Sequence, residues 1–171
     1  CFQLENAGGN GNIPARYQDK YQNGAYDLVL VFCDTDRKPY EQYVDIKRRI
    51  DEFHGVENAA DKIMIFGNPC TMQIIIEHWG DVRLCSNNKK KNAPVIYDLT
   101  GIEGYKGRKE QRRELFSQIT KENYQEMRER IKKLLFDDTV EGSTNFGRFL
   151  EWFSSDDCEW IRVINKMLDY E

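Results

Sequence analysis

The chain has no long apolar run. Its longest are LVLVF at 28–32 and MQIII at 72–76, far below the roughly 20 residues a membrane-spanning helix needs. With 40 % apolar residues, 32 % charged residues and a mean hydropathy of −0.74, a membrane protein is excluded and no membrane partner is expected. Residues 1–15 lack the apolar core of a signal peptide. The five cysteines (Cys1, Cys33, Cys70, Cys85, Cys158) include no CxxC pair, which argues against a zinc or dithiol centre, and an odd count leaves one unpaired. A reducing, cytoplasmic location is the expectation. The chain also lacks an initial Met, and Cys1-Phe2-Gln3-Leu4 reads as a strand already under way, so it is expected to begin inside a longer gene product. Bulk is not lacking: nine Phe, nine Tyr and three Trp exclude disorder, and 171 residues suffice for one full domain.

Patterning gives an α/β chain. Gly8-Gly9-Asn10-Gly11-Asn12 is turn chemistry, and 15–22 reads as a short helix. Tyr26–Cys33 reads as a strand whose continuous apolar core predicts burial on both faces of a parallel sheet. Pro39 suits the first position of a helix whose stripe is Tyr43, Ile46, Ile50 and Phe53. Ile63–Phe66 is a second strand, completing a βαβ unit. Gly67-Asn68-Pro69 turns the chain into a helix over Cys70–Trp79. Residues 85–94 read as a polar loop, Val95-Ile96-Tyr97 as an edge strand and 101–107 as a glycine-rich connection. Helices follow at 108–118 and 121–136, the latter with Tyr124, Met127, Ile131 and Leu135 as its buried stripe and Glu126–Arg130 and Glu129–Lys133 as pairs on its wet face. Phe146–Phe153 and Trp160–Leu168 close the chain, the last helix capped by Asp156. The expected fold is thus a small parallel, Rossmann-like sheet with flanking helices over 1–100, followed by a helical part over 101–171.

Asp34 and Asp36 stand at the carboxyl end of the first strand, where open α/β sheets bind ligands. At spacing two in an extended chain their carboxylates project to one side, and a hard divalent cation, Mg2+ or Mn2+, would relieve their repulsion. The alternative is that Asp34 caps a turn and Asp36 is solvated. Asn68, at the end of the second strand, would lie beside that pair as a substrate contact. His78 is either a proton shuttle or a packing residue, and His54 a helix-end contact.

Charge is uneven. Between Arg83 and Arg113 nine cations (Arg83, Lys89, Lys90, Lys91, Lys106, Arg108, Lys109, Arg112, Arg113) face three acids (Asp98, Glu103, Glu110), a net +6 in a chain of −4. With Tyr97 and Tyr105 interleaved, the stretch suits a phosphate backbone and stacked bases. Lys89, Lys90, Lys91, Arg108, Lys109, Arg112 and Arg113 are the substrate-binding candidates, with RNA or DNA as partner; a solvated surface loop is the alternative.

The order VLVFCDTD, then FGNPCTMQIIIEHW, resembles the TOPRIM-like domain of the RloB-like family, which is associated with bacterial antiviral defence. Asn68-Pro69-Cys70 and His78-Trp79 fall at the matching separation, and the resemblance covers about residues 1–80. It implies a Mg2+- or Mn2+-dependent nuclease in which Asp34 and Asp36 hold the metal, His78 assists, and the metal orients water on a phosphodiester; an ATPase is a candidate partner protein. Two departures stand out. Met72 occupies a position where the family has Glu, and the Glu that TOPRIM domains carry on an earlier strand has no counterpart, Glu5 being the one upstream acid in a strand-like context. Either that Glu precedes Cys1, with the domain's first strand and helix, or the metal site is degraded. A haloacid-dehalogenase-like phosphatase, with Asp34 as nucleophile and Asp36 as acid/base, is the alternative enzyme. A non-catalytic interaction module is the third class.

Overall fold

The computed structural model of the chain describes residues 3–35 and 40–169. Those residues are mixed α/β, a two-stranded parallel sheet with helices before, between and after its strands. They form two compact units. The first comprises the described residues within Cys1–Cys33, Lys38–Ile65 and Ser154–Glu171; the second comprises those within Asp34–Arg37 and Phe66–Phe153. The units are interleaved along the chain, and neither ends at residue 100.

In the first unit, α1 (Ile13–Asn23) starts with Pro14 in its first turn and buries Ile13 and Tyr17. Helix α2 (Tyr40–His54) buries Tyr43, Ile46 and Ile50 of the expected stripe, while Phe53 meets the rings of Tyr17 and Tyr21 edge-on. Pro39 lies outside the described residues. A helix that the pattern did not announce, α3 (Ala59–Ile63), has Ala59, Ala60 and Ile63 fully buried. It packs on α9 (Glu159–Leu168), which contributes Ile164 and Leu168. The N-cap of α9 is Cys158, not the expected Asp156, and the Asp157 carboxylate just before it accepts from the Glu159 N–H at 3.0 Å. Gln3 and Leu4 are not strand, and Leu4 is 97 % exposed; Cys1 and Phe2 lie outside the described residues.

The strands are β1 (Val31–Asp34) and β2 (Met64–Gly67). Strand β1 is half the expected length, because 26–30 runs on without a ladder partner among the described residues. Its burial alternates, with Val31 and Cys33 inside and Phe32 49 % exposed, the pattern of a strand covered on one face. The continuous apolar run therefore did not mean burial on both faces. Strand β2 is buried throughout.

The second unit holds α4 (Met72–Ile76), α5 (Lys89–Thr100), α6 (Lys109–Ser117), α7 (Lys121–Ile131) and α8 (Phe146–Phe153). Helix α4 is five residues long, shorter than expected. Its neighbours Ile74 and Ile76 enter two different cores: Ile76 joins Leu84, Ile96, Ile102, Tyr105 and Leu115, and Ile74 joins Met127, Ile131, Leu134 and Leu150. Facing two cores explains why the helix is apolar nearly all round. The expected loop over 85–94 and edge strand at Val95-Ile96-Tyr97 are instead largely α5. Asn88 caps it by accepting from the Lys90 N–H at 2.9 Å, and Gly101 ends it at φ 73°. These two ends define a helix that tolerates Pro94 inside it. Helix α7 stops at Ile131, so Leu134 (5 % exposed) turns into the core and Leu135 (61 %) points out. The Glu126–Arg130 pair forms, but Glu129 pairs with Lys132 instead of Lys133. A loop before α8 returns to β2, where Thr144 bridges Gly67, its hydroxyl donates to the Phe66 carbonyl, and the Asn145 side chain accepts from the Phe66 N–H.

Candidate functional site

The carboxyl ends of both strands belong to the second unit. Asp34, half-buried at the end of β1, accepts a hydrogen bond from the Thr71 N–H at 2.7 Å. A carboxylate on a free N–H at a helix entrance is a capping contact, here made across the chain onto α4. Asp36 lies outside the described residues. Thr35, between the two aspartates, is 1 % exposed, and its N–H donates to the Gly67 carbonyl. Asn68 is also drawn into the fold: its side-chain amide donates to the Asp138 carbonyl at 2.7 Å, its N–H donates to Ser143, and its carbonyl accepts from Gly142. Asn68 therefore fastens the 137–145 loop to the end of β2.

His78 is 8 % exposed. Its Nδ1 lies 2.9 Å from the Ile75 carbonyl; a carbonyl only accepts, so Nδ1 carries the proton. Its ring lies beside those of Trp79 and Tyr124, at 5.6 and 6.2 Å. Burial, with the Arg130 charge adding to it, holds its pKa below the ordinary histidine value despite the Ile75 bond. His78 thus sits in a packed aromatic setting that disfavours its charged form. In the first unit, His54 at the end of α2 meets the Tyr17 hydroxyl at 2.7 Å, and Glu5 pairs with Lys20 at 3.0 Å.

The residue missed in the sequence is Glu77. It is fully buried; one carboxylate oxygen accepts from Gln73 Nε2 at 2.7 Å and meets Arg83 at 3.3 Å, while Oε2 has no partner. Burial pushes its carboxyl up to about 7, only partly offset by Arg83, Gln73 and Arg130. Gln73 also donates to the Val82 carbonyl and accepts from the Leu84 N–H. The available signal was the i,i+4 spacing of Gln73 and Glu77 at the end of an apolar helix. This pairing also withdraws Arg83 from the basic stretch, since it pairs with Glu77 and Asp81.

The other eight cations of that stretch are exposed, and none is in an ion pair with another described residue. The fold brings their two groups together. A Cβ built on Gly107 would stand 3.1 Å from Lys89 Nζ, so the start of α5 lies against the loop that enters α6. Gln111 fixes that loop: its side-chain oxygen accepts from the Lys106 N–H at 2.8 Å, and its amide donates to the Glu103 and Gly104 carbonyls at 3.2 Å. Lys89, Lys90, Lys91, Lys106, Arg108 and Lys109 thus gather at the starts of two helices, with Arg112 and Arg113 one turn further along α6. Of the interleaved aromatics, Tyr105 is buried in the core and Tyr97 is 48 % exposed. Phe116, just beyond the stretch, is 50 % exposed.

Among the described residues no group of three or more His, Cys, Asp or Glu side chains is placed to hold a metal. Of the expected Mg2+ or Mn2+ pair, Asp34 is described and accepts from Thr71 through one carboxylate oxygen, while Asp36 lies outside the described residues. No family model, curated protein or solved structure matches this chain.

Proposed function

We propose that this chain is a nucleic-acid-binding domain that holds RNA or DNA on the basic face formed by the starts of α5 and α6 and the loop between Gly104 and Arg108. The observation that carries the reading is the seat of Lys89 against Gly107, which merges two cationic groups separated in sequence into one surface. Like charges held together repel, and a polyanion relieves that repulsion at successive phosphates, releasing counterions as it binds. Contacts of this kind position a strand without reading its sequence.

The test is equilibrium binding of labelled 20-nucleotide RNA and DNA, single-stranded and duplex, across a salt series. Lys109→Glu, Arg112→Glu and Arg113→Glu combined should weaken binding by at least tenfold and reduce the log–log salt slope by about 2–3. Binding that ignores salt, or a triple variant that binds like the parent, would overturn the proposal.

Metal-dependent cleavage of the bound strand is a second reading, favoured by the position of Asp34 at the carboxyl end of β1 and by the resemblance of residues 1–80 to the RloB-like family. It takes Asp34 and Asp36 as ligands, and a cytoplasmic defence role with an ATPase partner belongs to it. Asp34→Asn keeps an oxygen for the Thr71 N–H while removing the charge. On this reading it abolishes chelator-sensitive cleavage and leaves binding in place; cleavage that survives both EDTA and Asp34→Asn would reject it.

A further inference from the structure

We propose that the α5–α6 face takes single-stranded nucleic acid, with unpaired bases stacking on Tyr97 and Phe116 while the backbone follows the cations of the two helix starts. The inference rests on the nucleic-acid-binding function proposed above and names its substrate class.

The two helices are tied start to start and end to end, so they run in the same direction. Lys89, first in α5, lies over Gly107 just ahead of α6. At the other end the Thr100 carbonyl of α5 accepts from Gln118 Nε2, one residue past α6, at 3.1 Å. Between these ties Ile96 and Leu115 are buried in one core, which fixes the inward faces. The outward faces then match. In α5 Lys90 and Tyr97 are seven residues apart, two turns with an angular offset of about 20°. In α6 Lys109 and Phe116 have the same spacing, with Arg112 and Arg113 between them. The acids Asp98, Glu110 and Glu114 lie about 80° or more off these two lines. Each helix thus presents cations at its start and a half-exposed aromatic ring in its last turn, in the same direction.

That sequence of groups fits one class of strand. A duplex offers phosphates and keeps its base faces stacked against each other, so it can use the cations and not the rings. An unpaired strand offers both phosphates and base faces, and stacking on aromatic side chains is tolerant of sequence because every base has a π-face. Two large rings, 48 % and 50 % exposed, beside cations with no acid partner among the described residues have a use in the second case and none in the first.

The experiment is fluorescence anisotropy on the full 171-residue chain, with labelled 20-nucleotide single strands and the corresponding duplexes at one salt concentration, followed by salt series. Single strands are expected to bind more tightly than duplexes. Tyr97→Ala and Phe116→Ala should each weaken single-strand binding about tenfold without changing the salt slope, because no phosphate contact is lost. Phe116→Trp should retain affinity, and its added fluorescence should be quenched by the single strand. Equal affinity for single and double strands, or alanine variants that bind single strands as the parent does, would overturn the inference and leave the binding function standing. Failure of every strand to bind would overturn both. DNA and RNA single strands are expected to bind alike, since neither base stacking nor a phosphate contact requires a 2′-hydroxyl; strict RNA selectivity would overturn it.

Discussion

Glu77 shows how much one side chain can hold against its environment. Its carboxyl is enclosed, with one oxygen lacking a hydrogen bond, and titrates near 7, whereas the unfolded chain loses that proton at the ordinary glutamate value, near 4.3. Between those two values the unfolded state has released the proton and the folded state keeps it, so stability falls as pH rises through this window and levels off above it. Over the whole window the difference corresponds to about 4 kcal/mol, most of it lost above pH 5. Urea unfolding of the parent should therefore show a loss of that order between pH 5 and pH 8, and Glu77→Gln should remove most of the pH dependence. A parent protein with equal stability at both pH values would show that Glu77 is better solvated than its burial indicates. Asp34 is the opposite case. The sequence offers it three roles, metal ligand, cap of the turn that follows it or nucleophile; the hydrogen bond it accepts from Thr71 is instead at the entrance of α4, and residues 36–39 of the following turn lie outside the described residues.

At the scale of elements, the end of β2 is set by close backbone approach. A Cβ on Gly67 would stand 2.7 Å from the Cys70 carbonyl oxygen and 2.9 Å from the Thr71 Cα, so no larger residue fits without moving the start of α4. Gly67→Ala is expected to cost about 2 kcal/mol, read as a lower urea midpoint at unchanged m-value. A neutral substitution would mean that the turn relaxes freely. The element most legible in the sequence is α2, through Tyr43, Ile46 and Ile50; of the expected α7 stripe Met127 and Ile131 are buried, while Tyr124 and Leu135 are exposed. Misreadings arose where burial and periodicity part company. The run at 28–32 looked doubly covered but serves a two-stranded sheet with Phe32 exposed. The segment Val95-Ile96-Tyr97 by itself reads as a strand, while the signals that decide for a helix, Asn88 and Gly101, lie outside the segment. Of the candidate site, the basic residues were legible from charge alone. That Lys89 meets Gly107, or that Tyr105 turns inward while Phe116 stays out, depends on contacts between segments that no local pattern encodes.

At the scale of the whole molecule, the first unit depends on residues from both ends of the chain. Its last contribution is α9, which arrives after the second unit is complete. From α9, Ile164 and Leu168 are buried at 1 % and 2 % exposure, Asn165 donates to the Asp27 carbonyl at 2.8 Å, and the Leu168 backbone meets His54. Burial of the two aliphatic side chains alone contributes roughly 3–6 kcal/mol, against a typical total of about 5–15 kcal/mol for a domain. Loss of α9 would also open the surface on which the fully buried Ala59, Ala60 and Ile63 of α3 pack. A chain ending at Phe153 is therefore expected to lose slow hydrogen exchange throughout α2 and α3, and Ile164→Ala with Leu168→Ala in the full chain should reproduce the effect in milder form. Protection factors in α2 and α3 that stay at the level of the parent after truncation would mean that the first unit closes without its final helix, and that the apolar face of α9 serves something other than this core.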